Sequence, residues 1–165
     1  MVWLRLLHIV AGVFWVGAAV FMAFFVLPTA RAAGPEGGRF VARLGRRMGP
    51  VLGVAMLLTV IPGFMMYGRL SAGFNRAWVT SRPGLALAAG AVAAIVAIVI
   101  GVAVNAPAAA KIGALQKSVA AQGGTPNPAQ TAQLAAWQAR VERGTQIVAG
   151  LLLFAAGAMA VARYL

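Results

Sequence analysis

Four long apolar segments divide the sequence, and shorter stretches rich in arginine, glycine and proline separate them. The segments cover about residues 2–27, 50–67, 84–104 and 144–162. An α-helix of about 20 apolar residues is long enough to cross the hydrocarbon core of a bilayer. The pattern therefore predicts an all-α integral membrane protein, a four-helix transmembrane bundle that forms a single domain over residues 1–165.

The first apolar segment has two interpretations. Pro28 and the Gly34-Pro35 pair are expected to end a helix over residues 2–27, because proline interrupts the helical hydrogen bonds. The alternative is a cleaved signal peptide, since Ala30-Arg31-Ala32 is similar to a cleavage site. The apolar core of a signal peptide has only about 7–15 residues. We therefore interpret the segment as a membrane span.

Proline and glycine also mark the second and third spans. Pro62-Gly63 is expected to kink the second span, because proline removes one backbone hydrogen bond. Ser81-Arg82-Pro83 is expected to open the third span, with proline in the first turn, where its missing N–H does no harm.

The segment 37–49 before the second span is amphipathic. Phe40, Leu44 and Met48 recur every four positions among four arginines. Such a helix can lie flat at the level of the lipid head groups. The alternative is a lead-in that continues directly into the second span.

Residues 105–143 form the most polar stretch, and Gly123-Gly124 predicts a turn near its middle. Apolar residues recur on one helical face on each side of the turn: Ile112, Leu115 and Val119 before it, and Leu134, Trp137 and Val141 after it. The pattern predicts a helical hairpin outside the membrane between spans three and four. Pro107 is expected to bend the third helix where it leaves the bilayer.

Three residues at the start of the second hairpin helix predict a capping box. Asn127 suits the N-cap, Pro128 the first helical position and Gln130 the position three residues after the cap. In the spans, Gly90, Gly101, Gly150 and Gly157 predict faces where helices approach closely.

Composition and charge support a membrane location. Charged residues make up 10% of the chain, against about 25% in soluble domains. The 14 Lys and Arg against 2 Asp and Glu could indicate nucleic acid, but they lie between the apolar segments, where cations meet anionic lipid head groups. We therefore expect the lipid bilayer, and not nucleic acid, as the partner.

The distribution of the cations predicts the orientation. Nine of the 14 lie in the first and third connections. Cytoplasmic loops carry an excess of Lys and Arg. We therefore expect a multi-pass protein of the cell inner (cytoplasmic) membrane with both termini outside and the hairpin in the cytoplasm.

The one histidine is the main candidate for chemistry, since the chain has no cysteine. His8 lies about two turns into the first span, and Gly12 and Trp15 follow on its face. A neutral imidazole can bind heme iron or copper, and the small residues beside it leave room for a flat cofactor. His8, Gly12 and Trp15 are therefore the candidate cofactor site, with His8 as the candidate metal ligand. The alternative is a histidine hydrogen-bonded to a backbone carbonyl.

Other candidates for chemistry are few. A second axial or copper ligand could come from Met22, Met56 or Met65, although methionine is also ordinary apolar filling. Glu36 and Glu142 lie outside the spans, which disfavours a proton relay in the membrane. Glu142 is expected to pair with a neighbouring arginine or with Lys111. No catalytic motif is present, so the sequence does not favour an enzyme.

The first helix resembles a known family. Leu7-His8 is followed seven residues later by Trp15-Val16-Gly17 and then by an aliphatic run that ends in proline. This pattern is similar to the first helix of the copper-resistance-D-like membrane proteins and of the HemJ-type protoporphyrinogen oxidases. The resemblance covers about the first 30 residues. It implies a helical bundle that holds heme b or handles copper, with His8 at the family's histidine position.

Three functions remain open on the sequence. The leading hypothesis is a small membrane protein that binds heme b, or a related redox cofactor, through His8 and could share it across a homodimer. The second is a cofactor-free accessory subunit of a larger membrane complex. Copper transport is the third, and it would need several soft ligands along a path.

Overall fold

The computed structural model describes residues 1–165 and contains helices and turns but no strand. Four helical stretches are long and apolar enough to cross a membrane: Val2–Ala32, Gly34–Leu70, Arg82–Ala121 and Pro128–Tyr164. The predicted all-helical architecture with four candidate spans is thus confirmed.

The helical elements follow one another with few breaks. They are α1 (Val2–Phe21), a first π segment (Met22–Val26), α2 (Leu27–Ala32), α3 (Gly34–Leu70), α4 (Arg76–Val79), α5 (Arg82–Ile100), a second π segment (Gly101–Asn105), α6 (Ala106–Ala121), α7 (Pro128–Val161) and a final 3₁₀ turn (Ala162–Tyr164). Helix α1 packs mainly against α3, and α5 mainly against α7.

The prediction that Pro28 ends the first helix is wrong, whereas the break expected at the Gly34-Pro35 pair is confirmed. The helix continues to Ala32, and the first π segment comes just before the proline. In this segment the N–H of Leu27 donates to the carbonyl of Met22, five residues back. A proline ring clashes with the carbonyl four residues back in a regular α-helix. The wider π turn accommodates the ring, so the helix passes through the proline.

The third helix uses the same arrangement. The second π segment ends at Asn105, two residues before Pro107, and the N–H of Ala106 donates to the carbonyl of Gly101. The helix therefore continues into α6. A π turn lies just before Pro107, and π turns are a known cause of helix kinks. The bend expected at Pro107 stays a prediction.

The amphipathic segment 37–49 is not a separate helix. It forms the first part of α3, which runs for 37 residues through Pro50 and Pro62 without interruption. The interpretation as a lead-in to the second span is therefore correct, and the interpretation as a helix lying flat by itself is wrong. At 1.5 Å per residue α3 is about 55 Å long, well beyond the roughly 30 Å of a hydrocarbon core.

The extended ends of the helices pack on one another. The backbone of α3 at Gly38 approaches two amides of the hairpin, since a Cβ atom there would lie 3.4 Å from Nε2 of Gln116 and 3.5 Å from Nε2 of Gln138. Arg31, in α2, donates to a carboxylate oxygen of Glu142, in α7, at 3.0 Å. The segments beyond the apolar spans thus form a layer in which α2 packs on α3 and the two hairpin helices pack on each other, with few contacts between the two pairs.

The hairpin between α6 and α7 matches its sequence pattern. Asn127 and Gln130 form the predicted capping box: the Gln130 N–H donates to Asn127 Oδ1 at 2.8 Å, and the Asn127 N–H donates to Gln130 Oε1 at 2.9 Å. Val119 is buried, whereas Trp137 is half-buried, with the Lys111 ammonium 5.9 Å from its ring centroid. Of the two pairings expected for Glu142, the structure shows one with an arginine, Arg31, and not the one with Lys111.

A small core holds the four spans together. Each span contributes at least one buried residue to one cluster: Trp15, Ala19, Ala55, Ala97 and Leu152. Close approach between α5 and α7 is confirmed at Gly90, where a Cβ atom would lie 3.0 Å from the Ala155 carbonyl oxygen. It is wrong for Gly101, Gly150 and Gly157, which have open space instead.

Most large apolar side chains point away from this core. Only 20 of the 165 residues are buried, and Val13, Phe64, Val92 and Phe154 are among the many apolar residues at least half exposed. Monomeric soluble proteins rarely expose continuous apolar surface on this scale. The surface is therefore suited to lipid or to further protein chains.

Candidate functional site

His8 lies where α1 meets α3. Its imidazole is half-buried, and Nδ1 lies 2.6 Å from the backbone carbonyl oxygen of Thr59. A carbonyl oxygen can only accept, so Nδ1 carries the hydrogen and donates it. In the neutral ring, Nε2 is then the unprotonated nitrogen. The structure therefore fixes which nitrogen has a free lone pair.

Thr59 lies in the turn that precedes the Pro62-Gly63 pair. Pro62 has no N–H, so it cannot donate to the carbonyl four residues before it, and the helix loosens there. The hydroxyl of Thr59 donates to the carbonyl of Ala55 at 2.7 Å, a contact that also tends to bend helices. A backbone carbonyl oxygen has two lone pairs, and Thr59 offers one of them to His8.

Gly63 makes room for the imidazole. A Cβ atom at this position would lie 2.8 Å from Cε1 and 2.9 Å from Nδ1 of His8. Real Cβ atoms essentially never lie within 3.0 Å of another atom, so the ring would have to shift. The ring of His8 therefore rests directly on the backbone of α3, and glycine at position 63 is a condition for the hydrogen bond to Thr59.

Gly12 and Trp15 lie differently from the predicted site. A Cβ atom at Gly12 would lie 3.4 Å from the Thr59 methyl group, so α3 packs where space for a cofactor was expected. Trp15 is 8% exposed and belongs to the central core with Leu152. His8 and Gly12 thus share the contact with α3, whereas Trp15 fills the centre of the bundle.

The sequence alone does not indicate the roles of Thr59 and Gly63. The Pro62-Gly63 pair predicts a kink, but nothing in its residues says that His8 faces it from another helix. The alternative interpretation of His8 as hydrogen-bonded to a backbone carbonyl is confirmed. That contact does not compete with ligation, because metal-binding histidines commonly donate their other ring N–H to a carbonyl.

The donors near His8 suit a cofactor that needs one protein nitrogen. Histidine, aspartate and glutamate form no cluster of three that could hold a metal ion. Met56 packs against the core, and Met65 is partly exposed. Heme iron can be held by a single histidine. With Nδ1 bonded to Thr59, Nε2 is the one ring nitrogen of His8 that could serve as a ligand.

The family resemblance of this chain is argued from its own sequence alone. The resemblance of the first helix to the copper-resistance-D-like and HemJ-type proteins stays a prediction that covers about 30 residues. No protein-family model, no curated protein and no solved structure matches this chain.

Proposed function

We propose that this chain is a small multi-pass membrane protein that binds heme b, or a related redox cofactor, through Nε2 of His8. The hydrogen bond from Nδ1 of His8 to the Thr59 carbonyl oxygen carries the proposal. In the neutral ring this bond leaves the lone pair of Nε2 free, and it holds the imidazole in one orientation, as a metal-binding histidine requires. Bound heme would supply one-electron chemistry at its iron.

Three residues of the chain would prepare the ligand. Thr59 accepts the hydrogen of Nδ1, which raises the electron density on Nε2. Gly63 lets the imidazole lie against α3. Because Trp15 fills the core, the cofactor would bind beside the α1–α3 contact and not at the centre of the bundle. A second copy of the chain could cover its other face.

The proposed setting is the cytoplasmic membrane. Both termini would lie outside, and the packed layer of α2, the start of α3 and the hairpin would lie in the cytoplasm. The excess of cations in the first and third connections supports this orientation. The many exposed apolar side chains on the spans support contact with lipid.

A visible spectrum of the purified protein tests the heme proposal. Expression with added heme should give a Soret band that is lost in His8→Ala. Gly63→Ala should weaken heme binding by about 10–100-fold, the usual effect of disturbing the groups that orient a ligand. Gly53→Ala is the control, because Gly53 lies in the same helix with open space around it. A protein without a Soret band, or a band unchanged in His8→Ala, refutes the proposal.

A second candidate is a cofactor-free accessory subunit of a larger membrane complex. The observation in its favour is that the His8–Thr59 bond also joins α1 to α3, a purely structural use of the histidine. The packed layer beyond the spans would then serve as the docking surface. Native mass analysis after mild solubilisation from the native membrane distinguishes the two. A monomer without any partner contradicts this candidate.

A further inference from the structure

A groove lies between the end of the first span and the start of α3, in a part of the molecule that the His8 site does not use. It consists of two adjoining cavities of about 550 Å³ and 280 Å³. Both are lined by Glu36 and Phe40, so they form one continuous depression. The larger part is mainly apolar, and the smaller part is mainly charged.

The apolar part is built from three phenylalanines. Phe21 and Phe25 come from the first span and stack with ring centroids 5.7 Å apart. Phe40 comes from α3. All three side chains are more than half exposed. Within a bilayer, an aromatic surface of this kind offers van der Waals contact to an acyl chain.

The charged part carries a net positive charge. Arg39 and Arg43 line it together with Glu36. The one contact between opposite charges is loose, with Arg39 Nη2 3.9 Å from Glu36 Oε1 and both side chains exposed. Two arginines and one glutamate thus line this part, which leaves one positive charge in excess. Guanidinium groups bind phosphate oxygens in a bidentate manner, which makes arginine well suited to a phosphodiester.

The groove lies at the end of the apolar spans, so that its apolar part lies within them and its charged part beyond them. Helix α3 exceeds the thickness of a hydrocarbon core by about 25 Å. Its span occupies the later residues, so Glu36 to Arg43 lie beyond the apolar region, whereas Phe21 and Phe25 lie inside the first apolar segment. A ligand that fits both parts needs an apolar chain and an anionic head on one molecule.

We propose that the groove binds one anionic phospholipid at a defined site. Its phosphodiester lies between Arg39 and Arg43, and one acyl chain covers Phe21, Phe25 and Phe40. A single negative charge balances the excess of one arginine over Glu36. An acidic peptide would use the arginines but would leave the phenylalanines uncovered, so the lipid is the better match. This proposal does not depend on a cofactor at His8.

Binding of a labelled lipid tests the proposal. The purified chain is placed in phosphatidylcholine nanodiscs with a trace of fluorescent phosphatidylglycerol, and energy transfer from the protein measures binding. The double variant Arg39→Gln/Arg43→Gln should lose about tenfold or more in affinity, since hydrogen bonds to charged groups contribute strongly. The matched control is Arg46→Gln/Arg47→Gln, which removes the same charge from α3 outside the groove.

Further variants separate the site from general attraction. Glu36→Gln removes the one carboxylate and should tighten binding of the labelled lipid. Phe25→Ser should weaken it without changing the charge. Water-soluble glycerophosphate should not compete at concentrations that displace a full phospholipid.

Three outcomes overturn the proposal. Equal losses in the two arginine pairs would mean that only the net charge of α3 attracts the lipid. If the Phe25→Ser variant and the Glu36→Gln variant both bind the lipid as the parent protein does, the groove is not used. Displacement of the lipid by a soluble acidic peptide would show that a polypeptide is the ligand. Size-exclusion profiles identical to the parent protein confirm that each exposed variant is folded.

Discussion

Gly63→Ala should destabilise the protein through a single contact. The new methyl group would lie 2.8 Å from Cε1 and 2.9 Å from Nδ1 of His8, so the imidazole must move. Overfilling a packed contact costs about 1–3 kcal/mol. Movement of the ring also breaks the 2.6 Å hydrogen bond to Thr59, and such bonds in membrane proteins contribute about 0.6 kcal/mol on average.

The same substitution elsewhere in α3 gives the reference. Alanine is favoured over glycine in a helix by about 1 kcal/mol. Gly53→Ala has no atom within 4 Å of the new methyl group and should show only this gain. Gly63→Ala should therefore be about 1.6–3.6 kcal/mol less stable than Gly53→Ala, the sum of the overfilling and hydrogen-bond terms.

Reversible unfolding in mixed detergent micelles, followed by tryptophan fluorescence, measures the difference. Adding His8→Ala to each glycine variant completes a double-mutant cycle. Without the imidazole, the methyl group at position 63 should behave like the one at position 53. If Gly63→Ala costs as much with alanine at position 8 as with histidine, the contact with His8 is not the cause and the explanation fails.

Four further predictions concern the core, two polar side chains and the turn of the hairpin. Leu152→Ala should lower the free energy of unfolding by about 2–5 kcal/mol, because the side chain is 1% exposed in the core; a smaller loss in chemical denaturation would mean a looser bundle. Asn105→Ala should change the free energy of unfolding by less than about 1 kcal/mol, because the buried Oδ1 has no hydrogen-bond partner to lose. A large loss in the same assay would mean that this oxygen does accept a hydrogen bond. Glu142→Gln should lower the free energy of unfolding by less than about 1 kcal/mol, because its partner Arg31 is mostly exposed to solvent. A greater loss in the same unfolding assay would indicate a buried network. Protease should cut first at Gly123-Gly124 in sealed inside-out vesicles and not in intact spheroplasts; the reverse result would invert the proposed orientation.

Features that depend on neighbouring residues could be predicted from the sequence. The cap at Asn127 and the start of the third span at Ser81 are formed by side chains within three positions of the backbone groups they bind. Long apolar segments likewise identify the spans, because lipid contact imposes a composition and a length. These predictions need no knowledge of the fold.

Features that depend on contacts between helices could not be predicted in this way. The His8–Thr59 bond joins residues 51 positions apart, and it requires the rotation and height of two helices to be known. The ion pair of Arg31 with Glu142 likewise depends on how two helices pack against each other. The helix end expected at Pro28 was wrong for another reason: a π turn is a change in hydrogen-bond register, and it leaves no residue pattern to recognise.

The two π segments also set the direction in which the helices continue. A π turn holds one more residue than an α turn, so every later side chain is rotated by about 100° from its place on an unbroken α-helix. Beyond Asn105, the face of α6 that meets α7 is therefore out of phase with the face of α5 that meets it below. Deleting one residue within 101–105 would restore a regular helix and leave Val119 facing its partner helix, because the deletion removes the residue that the wider turn absorbs. A regular α-helix that keeps all five residues would instead turn Val119 away by about 100°. The orientation of the hairpin thus depends on the match between the number of residues in that turn and its hydrogen-bond register, independently of their side chains.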